Sequence, residues 1–299
     1  MEGRGPIQDT RLAILGGTGL GTRLKERLDP ASVEQHEVET PFGSPSDTIT
    51  TGRLGELDVA LLARHGNAHQ FNPTRVPYRA NIFALKALGC THLVASGATG
   101  SLRESIAPGD LVSCDQLIDR TIHRPRTFYD HAAVHVELAD PCCPVLRNWL
   151  HDAAASSETT FHDRATYLCM EGPAFSTRAE SNMHRLAGAD LIGMTAMPEA
   201  RLAREAELAY ALVALPTDWD CWRETSEDSI LDNVIANLQK ASEAALDLLE
   251  RACMNPRLLR IEPSPAHCAL EKAIFSDPAC IDADERKRLS VLWGRVLQS

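Results

Sequence analysis

No run of about 18 consecutive apolar residues occurs in the chain, so no membrane-spanning helix is expected. The opening stretch, Met1 to Thr10, is polar and does not read as a secretory signal. Basic charge is scarce: 30 Lys and Arg stand against 41 Asp and Glu, a formal net charge of -11. General nucleic-acid binding needs many cationic phosphate contacts and is argued against on that ground. A small anionic substrate held by a few local Arg and His remains open. Cysteine pairs at metal-ligand or redox spacing are also missing: the nine cysteines include no CxxC, and only Cys142 and Cys143 are adjacent. That usage fits reduced thiols packed as small apolar groups in a cytoplasmic protein, rather than a disulfide framework or a zinc site. No metal-ligand cluster, internal repeat or low-complexity tract is visible.

What is present is enough for one large α/β domain or two small ones, with 44% hydrophobic residues in a chain of 299. Short aliphatic runs predict strands at Leu12 to Leu15, Val59 to Ala63, His92 to Ser96, Leu111 to Ile118, Thr166 to Glu171, Leu191 to Thr195 and Ala209 to Leu215. Helices are predicted over Tyr78 to Leu88, Thr177 to Ala187, and from Pro198 through Glu199 to Ala206, since proline suits a first helical position. The strongest three-to-four apolar spacing runs from Asp228 to Ala252. Composition breaks at Met254-Asn255-Pro256, and one last helix is predicted over Asp284 to Leu297. The expected organisation is a tail over residues 1–10, a body over 11–254, and a helical C-terminal extension over 255–299 that packs on the body or on a neighbouring subunit.

Several predicted strands run into chemistry-bearing turns, as in α/β folds whose ligand lies beyond the strand ends. Gly16-Gly17-Thr18-Gly19-Leu20-Gly21 offers backbone N–H groups and the Thr18 hydroxyl to an anion. Its spacing is wrong for the dinucleotide fingerprint G-x-G-x-x-G. Arg64 and His65 follow the second strand; the guanidinium suits a phosphate, and the imidazole could donate to phosphate or ribose. Ser96 to Leu102 forms a second small-residue turn suited to an anion or a sugar. In Met170 to Glu180, Phe175 could face a base, and Ser176 or Thr177 could cap the next helix. Met194, before Thr195, is either core filler or a surface against ribose. Most informative is Thr217-Asp218-Trp219-Asp220-Cys221-Trp222 after an apolar run. Two carboxylates at a strand mouth are costly unless paired, and a purine offers N7–H and an exocyclic amine. Two solvated acids at a strand end are the bland alternative.

Taken together and in order, these motifs resemble the trimeric purine nucleoside phosphorylase superfamily, in particular its methylthioadenosine-cleaving members. The resembling stretches include Gly16 to Gly19, Thr40 to Asp47, Leu61 to Gly66, Gly100 to Glu104, Pro108 to Val112, Asp119 to Thr121, Glu171 to Pro173, Arg178 to Ser181 and Thr217 to Trp222, within residues 10 to 252. The resemblance implies a single-domain α/β fold with a central mixed β-sheet flanked by helices. It implies phosphorolysis of 5'-methylthioadenosine to adenine and 5-methylthioribose 1-phosphate, a pentosyl transfer with inorganic phosphate as co-substrate and no cofactor or metal. Thr18, Arg64, His65, Ala98 and Thr195 would surround phosphate. Met194 would lie against ribose, and Phe175 and Ser176 would adjoin the base. Asp218 and Asp220 would read adenine, Asp218 delivering a proton toward N7. Leu231, Val234 and Ile235 would border the methylthio group, joined by His135 from a neighbouring subunit of a homotrimer. A hexamer of paired trimers through the extension is a further option.

Two details bear on specificity. Relatives acting on 6-oxopurines tend to carry Asn where Asp218 stands, so a carboxylate there favours a 6-amino group. Gly97 departs from the Thr or Ser usual near phosphate and removes a donor. The alternatives are a nucleoside phosphorylase acting on methylthioinosine, inosine or guanosine, an NAD-dependent dehydrogenase, and a catalytically silent purine-binding protein.

Overall fold

The computed structural model describes residues 10–17, 20–223 and 230–297. The first third of the chain forms β1 (Arg11–Gly16), α1 (Leu20–Lys25), β2 (Glu34–His36), β3 (Ile49–Leu54), β4 (Leu57–Ala63) and α2 (Tyr78–Ala87). The middle adds β5 (His92–Ser101), β6 (Leu111–Cys114), β7 (Gln116–Arg120), α3 (Pro144–Ala154), β8 (Phe161–His162), β9 (Thr166–Met170) and α4 (Arg178–Leu186). The rest comprises β10 (Leu191–Gly193), α5 (Ala196–Glu205), β11 (Ala209–Asp218), α6 (Ile230–Cys253), α7 (Arg257–Ile261), α8 (Ala283–Arg288) and α9 (Ser290–Leu297).

The strands make one mixed sheet in the order β2-β3-β4-β1-β5-β10-β9-β7, with β11 also on β5 and β6 between β11 and β8. The long strand β5 is the branch point. It pairs in parallel with β1 over His92 to Ala95 and with β11 over His92 to Gly100, while Gly100 and Ser101 at its end pair antiparallel with β10. The turns after β1, β4, β5, β10 and β11 are thereby gathered at one place.

Alternation along the strands divides the core. In β1, Ala13 and Leu15 face one apolar cluster while Leu12 and Ile14 face another; in β11, Tyr210, Leu212 and Ala214 oppose Ala211, Val213 and Leu215. Both faces of the sheet are therefore covered, which is why these strands read as unbroken apolar runs. The α2 and α5 helices cover one face, and α3 and α6 the other.

The predicted central mixed sheet flanked by helices is the fold that forms. Where it differs from the sequence reading, the cause is local. The run Leu111 to Ile118 divides at Asp115, whose carboxylate accepts from Ala165 N at 3.0 Å, and β7 leaves to pair with β9. The single C-terminal helix is two, α8 and α9, separated at Leu289, which is buried in the core. Met197 has non-helical dihedrals, so the regular part of α5 begins at Pro198 as its sequence predicts. The extension packs on the body of its own chain. Trp293 is fully buried and stacks on Tyr129 with ring centroids 4.9 Å apart, and Arg295 pairs with Glu207.

Candidate active site

The gathered turns enclose a cavity of about 330 Å³. At one end, Gly17 after β1 and Gly97 in β5 leave a gap backed by Arg64: a Cβ added at either would stand 3.9 or 3.8 Å from Arg64 Nη1. A Cβ on Gly97 would also lie 3.4 Å from Thr195 Oγ1. Ser96 Oγ and Thr99 Oγ1, in the same wall, are buried without a hydrogen-bond partner among the described residues. Buried hydroxyls of this kind require a ligand or water to satisfy them.

The guanidinium of Arg64 does not present its fork to the cavity. Nε and Nη2 donate to the Glu199 carboxylate at 2.7 and 3.1 Å, Nη2 also to Leu15 O at 3.0 Å, and Nη1 to Ser96 O at 2.8 Å. Of five N–H groups, one on Nη1 is left to face the gap. Arg64, expected from the sequence to suit a phosphate, thus offers the gap a single donor on a buried, charge-compensated platform rather than a two-pronged fork. Burial opposes the charge of Arg64, but Glu199 outweighs it and raises the pKa further. Glu199 is itself fully buried, and Tyr210 Oη donates to it at 3.1 Å.

His65 differs from its sequence reading as well. Nδ1 lies 2.8 Å from Phe71 O, and since a carbonyl only accepts, Nδ1 carries the hydrogen. Burial, against the Phe71 hydrogen bond and with help from Arg64, lowers the pKa to about 4. The ring is neutral at pH 7, and its Nε2 is left as an acceptor rather than a donor. It stacks on His69, with centroids 4.6 Å apart, and both rings line the cavity.

At the other end β11 delivers the two acids. Thr217 Oγ1 donates to Asp218 Oδ2 at 2.7 Å, and Asp220 N donates to Oδ1 at 2.8 Å. Burial raises the Asp218 pKa in spite of those two hydrogen bonds. Asp220 holds a left-handed φ of 50°, and its Oδ2 is buried with no hydrogen-bond partner among the described residues. Such a carboxylate oxygen awaits a donor. The loop is pinned on both sides: Trp222 Nε1 donates to Ser101 O at 2.8 Å, and Cys221 Sγ to Ser176 O at 3.3 Å. Gly100 permits the approach, since a Cβ there would sit 3.1 Å from Asp220 Cβ.

Between the two ends lie Met194, whose thioether packs where a Gly172 side chain would be, and the apolar Leu215, Val234 and Leu238. Phe175 stands at the rim, 86% exposed. Thr195 is held from below, its N–H donating to Tyr167 Oη at 3.3 Å, and Tyr167 occupies the space that any side chain on Gly193 would need.

The family model of the phosphorylase superfamily matches residues 11–253. The chain belongs to the phosphorylase superfamily. The S-methyl-5'-thioadenosine phosphorylase of Geobacter sulfurreducens is 44% identical, over 95% of this chain and 98% of its own length. The Danio rerio protein of the same name is 44% identical over 81% of this chain and 89% of its own. Among solved structures, a methylthioadenosine phosphorylase from an antarctic soil metagenomic library matches at a TM-score of 0.86 and 42% identity, covering 95% of this chain and 99% of that one. The Schistosoma mansoni methylthioadenosine phosphorylase in complex with adenine matches at 0.76 and 36%, covering 82% and 91%.

Of the residues picked from the sequence of this superfamily member, Arg64, His65, Ala98, Phe175, Met194, Thr195, Asp218, Asp220 and Val234 all line the one cavity. Thr18 and the Leu231 side chain lie outside the described residues. Ser176 stands behind the wall, its Oγ 3.6 Å from Met170 Sδ. Ile235 is off the cavity and 47% exposed; helical spacing puts Leu238, four residues after Val234, on the inner face instead. His135 is remote from the lining and packs edge-on against Phe275 at 5.1 Å. The sequence reading passed over His69, Leu238, Tyr167 and the buried Glu199. Leu238 belongs to the apolar face predicted for the Asp228 to Ala252 helix, Tyr167 to the strand predicted over Thr166 to Glu171, and Glu199 to the start of a predicted helix, but none of them was given a place at the site.

Proposed function

We propose that the chain cleaves 5'-methylthioadenosine by phosphorolysis, releasing adenine and 5-methylthioribose 1-phosphate. The observation that carries this reading is the polarity of the cavity: donors and unsatisfied hydroxyls around Gly17 and Gly97 at one end, two acids at and just past the end of β11 at the other, and an apolar wall from α6 between them. The names of the similar proteins and the adenine held by the Schistosoma mansoni structure agree with it.

On this reading phosphate sits by Arg64, Thr195 and Ser96, and its oxygen forms the new bond to C1' as the C1'–N9 bond breaks. The electron pair of that bond leaves with the purine. Asp218, whose pKa burial raises toward the protonated form, delivers a proton toward N7, so the base departs neutral. Asp220 accepts from the 6-amino group. His65 Nε2 accepts from a hydroxyl of ribose or of hydrogen phosphate, in place of the donation expected from the sequence. Val234 and Leu238 suit a thioether better than a 5'-hydroxyl. Every bond made or broken is accounted for without a metal or cofactor.

We further infer a homotrimer. Phe175 at the cavity rim and Ile122, Met183 and Leu186 elsewhere leave apolar groups 45–90% exposed, and His135 with Phe275 forms an exposed pair outside the cavity lining. A contact joining that pair to the rim would close each site with His135 of the next subunit. The nine free thiols fit a reducing, cytoplasmic setting. No helix among the described residues is long and apolar enough to cross a membrane.

The deciding experiment is adenine release from 5'-methylthioadenosine with and without phosphate. Release that requires phosphate is expected. Equal release without phosphate would make the chain a hydrolase, and binding of adenine with no release would make it a silent binder.

A further inference from the structure

Arg124 lies outside the cavity lining and carries none of the roles above, yet its side chain is completely buried. Its guanidinium bridges the segments that leave β9 and β10, beyond the last residues that those two strands pair, Cys169 and Gly193. Nη2 donates to Glu171 O at 2.6 Å, at the end of β9, where the backbone turns toward Phe175. Nη1 faces Met194 O at 2.6 Å and Met197 O at 2.7 Å, on either side of Thr195. Nε pairs with the Glu171 carboxylate at 3.1 Å, and Tyr78 Oη on α2 meets Nη1 at 3.0 Å. Glu171 in turn accepts from Ile122 N at 2.5 Å and His123 N at 3.1 Å, fixing the backbone that carries Arg124. The carbonyls thus held belong to the segments that present Met194, Thr195 and Phe175. The first of these is already confined by Gly172, whose φ of 67° leaves room only for the thioether.

We propose that Arg124 is a positioning residue for the reaction, a planar clamp that sets the 193–197 turn against the end of β9 and so aligns the ribose and phosphate subsites with each other. The inference rests on the proposed phosphorolysis for its kinetic readout. A guanidinium suits the task because its N–H groups diverge in one plane toward carbonyls on two segments. A lysine ammonium, a point charge, could keep the Glu171 ion pair but could not span both. Displacing reacting groups by about 1 Å is enough to cost about a hundredfold in rate.

The test is Arg124→Lys, assayed with both substrates beside the wild type. The expected result is a folded protein whose kcat/KM falls by about thirtyfold or more, with KM raised for both methylthioadenosine and phosphate. In the same protein the amides of Thr195 and Met197 should exchange hydrogen about tenfold faster while those of β1 keep their rate. A folded variant with constants within about threefold of wild type, whatever its melting temperature, overturns the proposal. Failure of both Arg124→Lys and Arg124→Gln to fold overturns it equally, by making the residue structural alone. If wild type itself releases no adenine, the functional reading fails, and the exchange rates still judge the clamp.

Discussion

At the scale of single residues, Asp218 and Gly97 carry the sharpest expectations. Asp218 is useful as an acid only while it holds a proton, and burial favours the protonated form. Replacing it by Asn keeps the shape and the contact with Thr217 but removes the transferable proton. Asp218→Asn should lower kcat/KM for methylthioadenosine by about 10²–10⁴-fold and shift the ratio toward 6-oxopurine nucleosides, read by base release from both. A loss below about threefold would remove Asp218 from the acid role. Gly97 is a different case, because its position has room: a Cβ would make only ordinary contacts with Thr195 Oγ1 at 3.4 Å and Arg64 Nη1 at 3.8 Å. Gly97→Ser should therefore fold normally and add a donor beside the anion. About tenfold lower KM for phosphate is expected, with the nucleoside KM unchanged. An unchanged phosphate KM would mean that the gap is not the phosphate subsite.

At the scale of elements, what the sequence disclosed depended on how each segment is buried. Strands covered on both faces, such as β1 and β11, are continuous apolar runs and were legible. So was α6 from its spacing; of the two caps that the sequence offered for α4, Ser176 and Thr177, it is Thr177 that caps, and Glu180 completes the capping box. Short or half-polar strands were not: β2 is exposed Glu34 and Gln35 with His36, β8 is two residues, and β3 is interrupted by Gly52. The site followed the same logic. Strand-end motifs announced Arg64, His65, Thr195, Asp218 and Asp220, but not the direction in which each side chain is committed. That the Arg64 fork belongs to Glu199, and the His65 hydrogen to Phe71, depends on pairings 135 residues apart in one case and on a folded loop in the other.

The end of α5 shows how such hidden pairings set stability. Glu205 is nearly buried, accepts from Phe128 N at 2.8 Å and Thr127 Oγ1 at 3.1 Å, and stands near Arg201 and Asp130. Burial pushes its pKa from 4.5 up to about 7 in spite of those bonds. The folded state therefore holds the proton more tightly than the unfolded one. Its contribution is complete below pH 4.5 and is lost as pH rises through about 7. Glu205→Gln, which cannot ionise, should melt higher than wild type at pH 8, by up to about 3 kcal/mol, and the difference should shrink toward pH 5. Thermal melts of both proteins across that range read it directly. Parallel curves would assign the proton elsewhere.

At the scale of the whole molecule, the question is whether one chain makes a complete site. The cavity has Phe175 at its rim, 86% exposed, while His135 is held away from its own cavity by backbone pairing to the extension: its N–H donates to Ala273 O at 2.8 Å, and Phe275 N donates to Ala133 O at 2.9 Å. The extension thus presents His135 outward. Truncation at Asn255 would remove that support together with the buried Leu289, Leu292 and Trp293, so a changed mass after truncation would not isolate an assembly role. A cleaner test leaves every chain intact. On the trimeric reading, His135→Ala cripples the site of the next subunit and Asp218→Asn cripples its own. When the two variants are dissociated, mixed in equal amounts and reassembled, sites that combine an intact Asp218 with an intact neighbouring His135 should reappear. Random assembly makes these about a quarter of all sites, so activity should rise toward about a quarter of wild type, well above either variant alone. If the mixture shows only the mean of its two components while light scattering confirms exchanged trimers, His135 serves its own chain or none, and the shared-site reading is wrong.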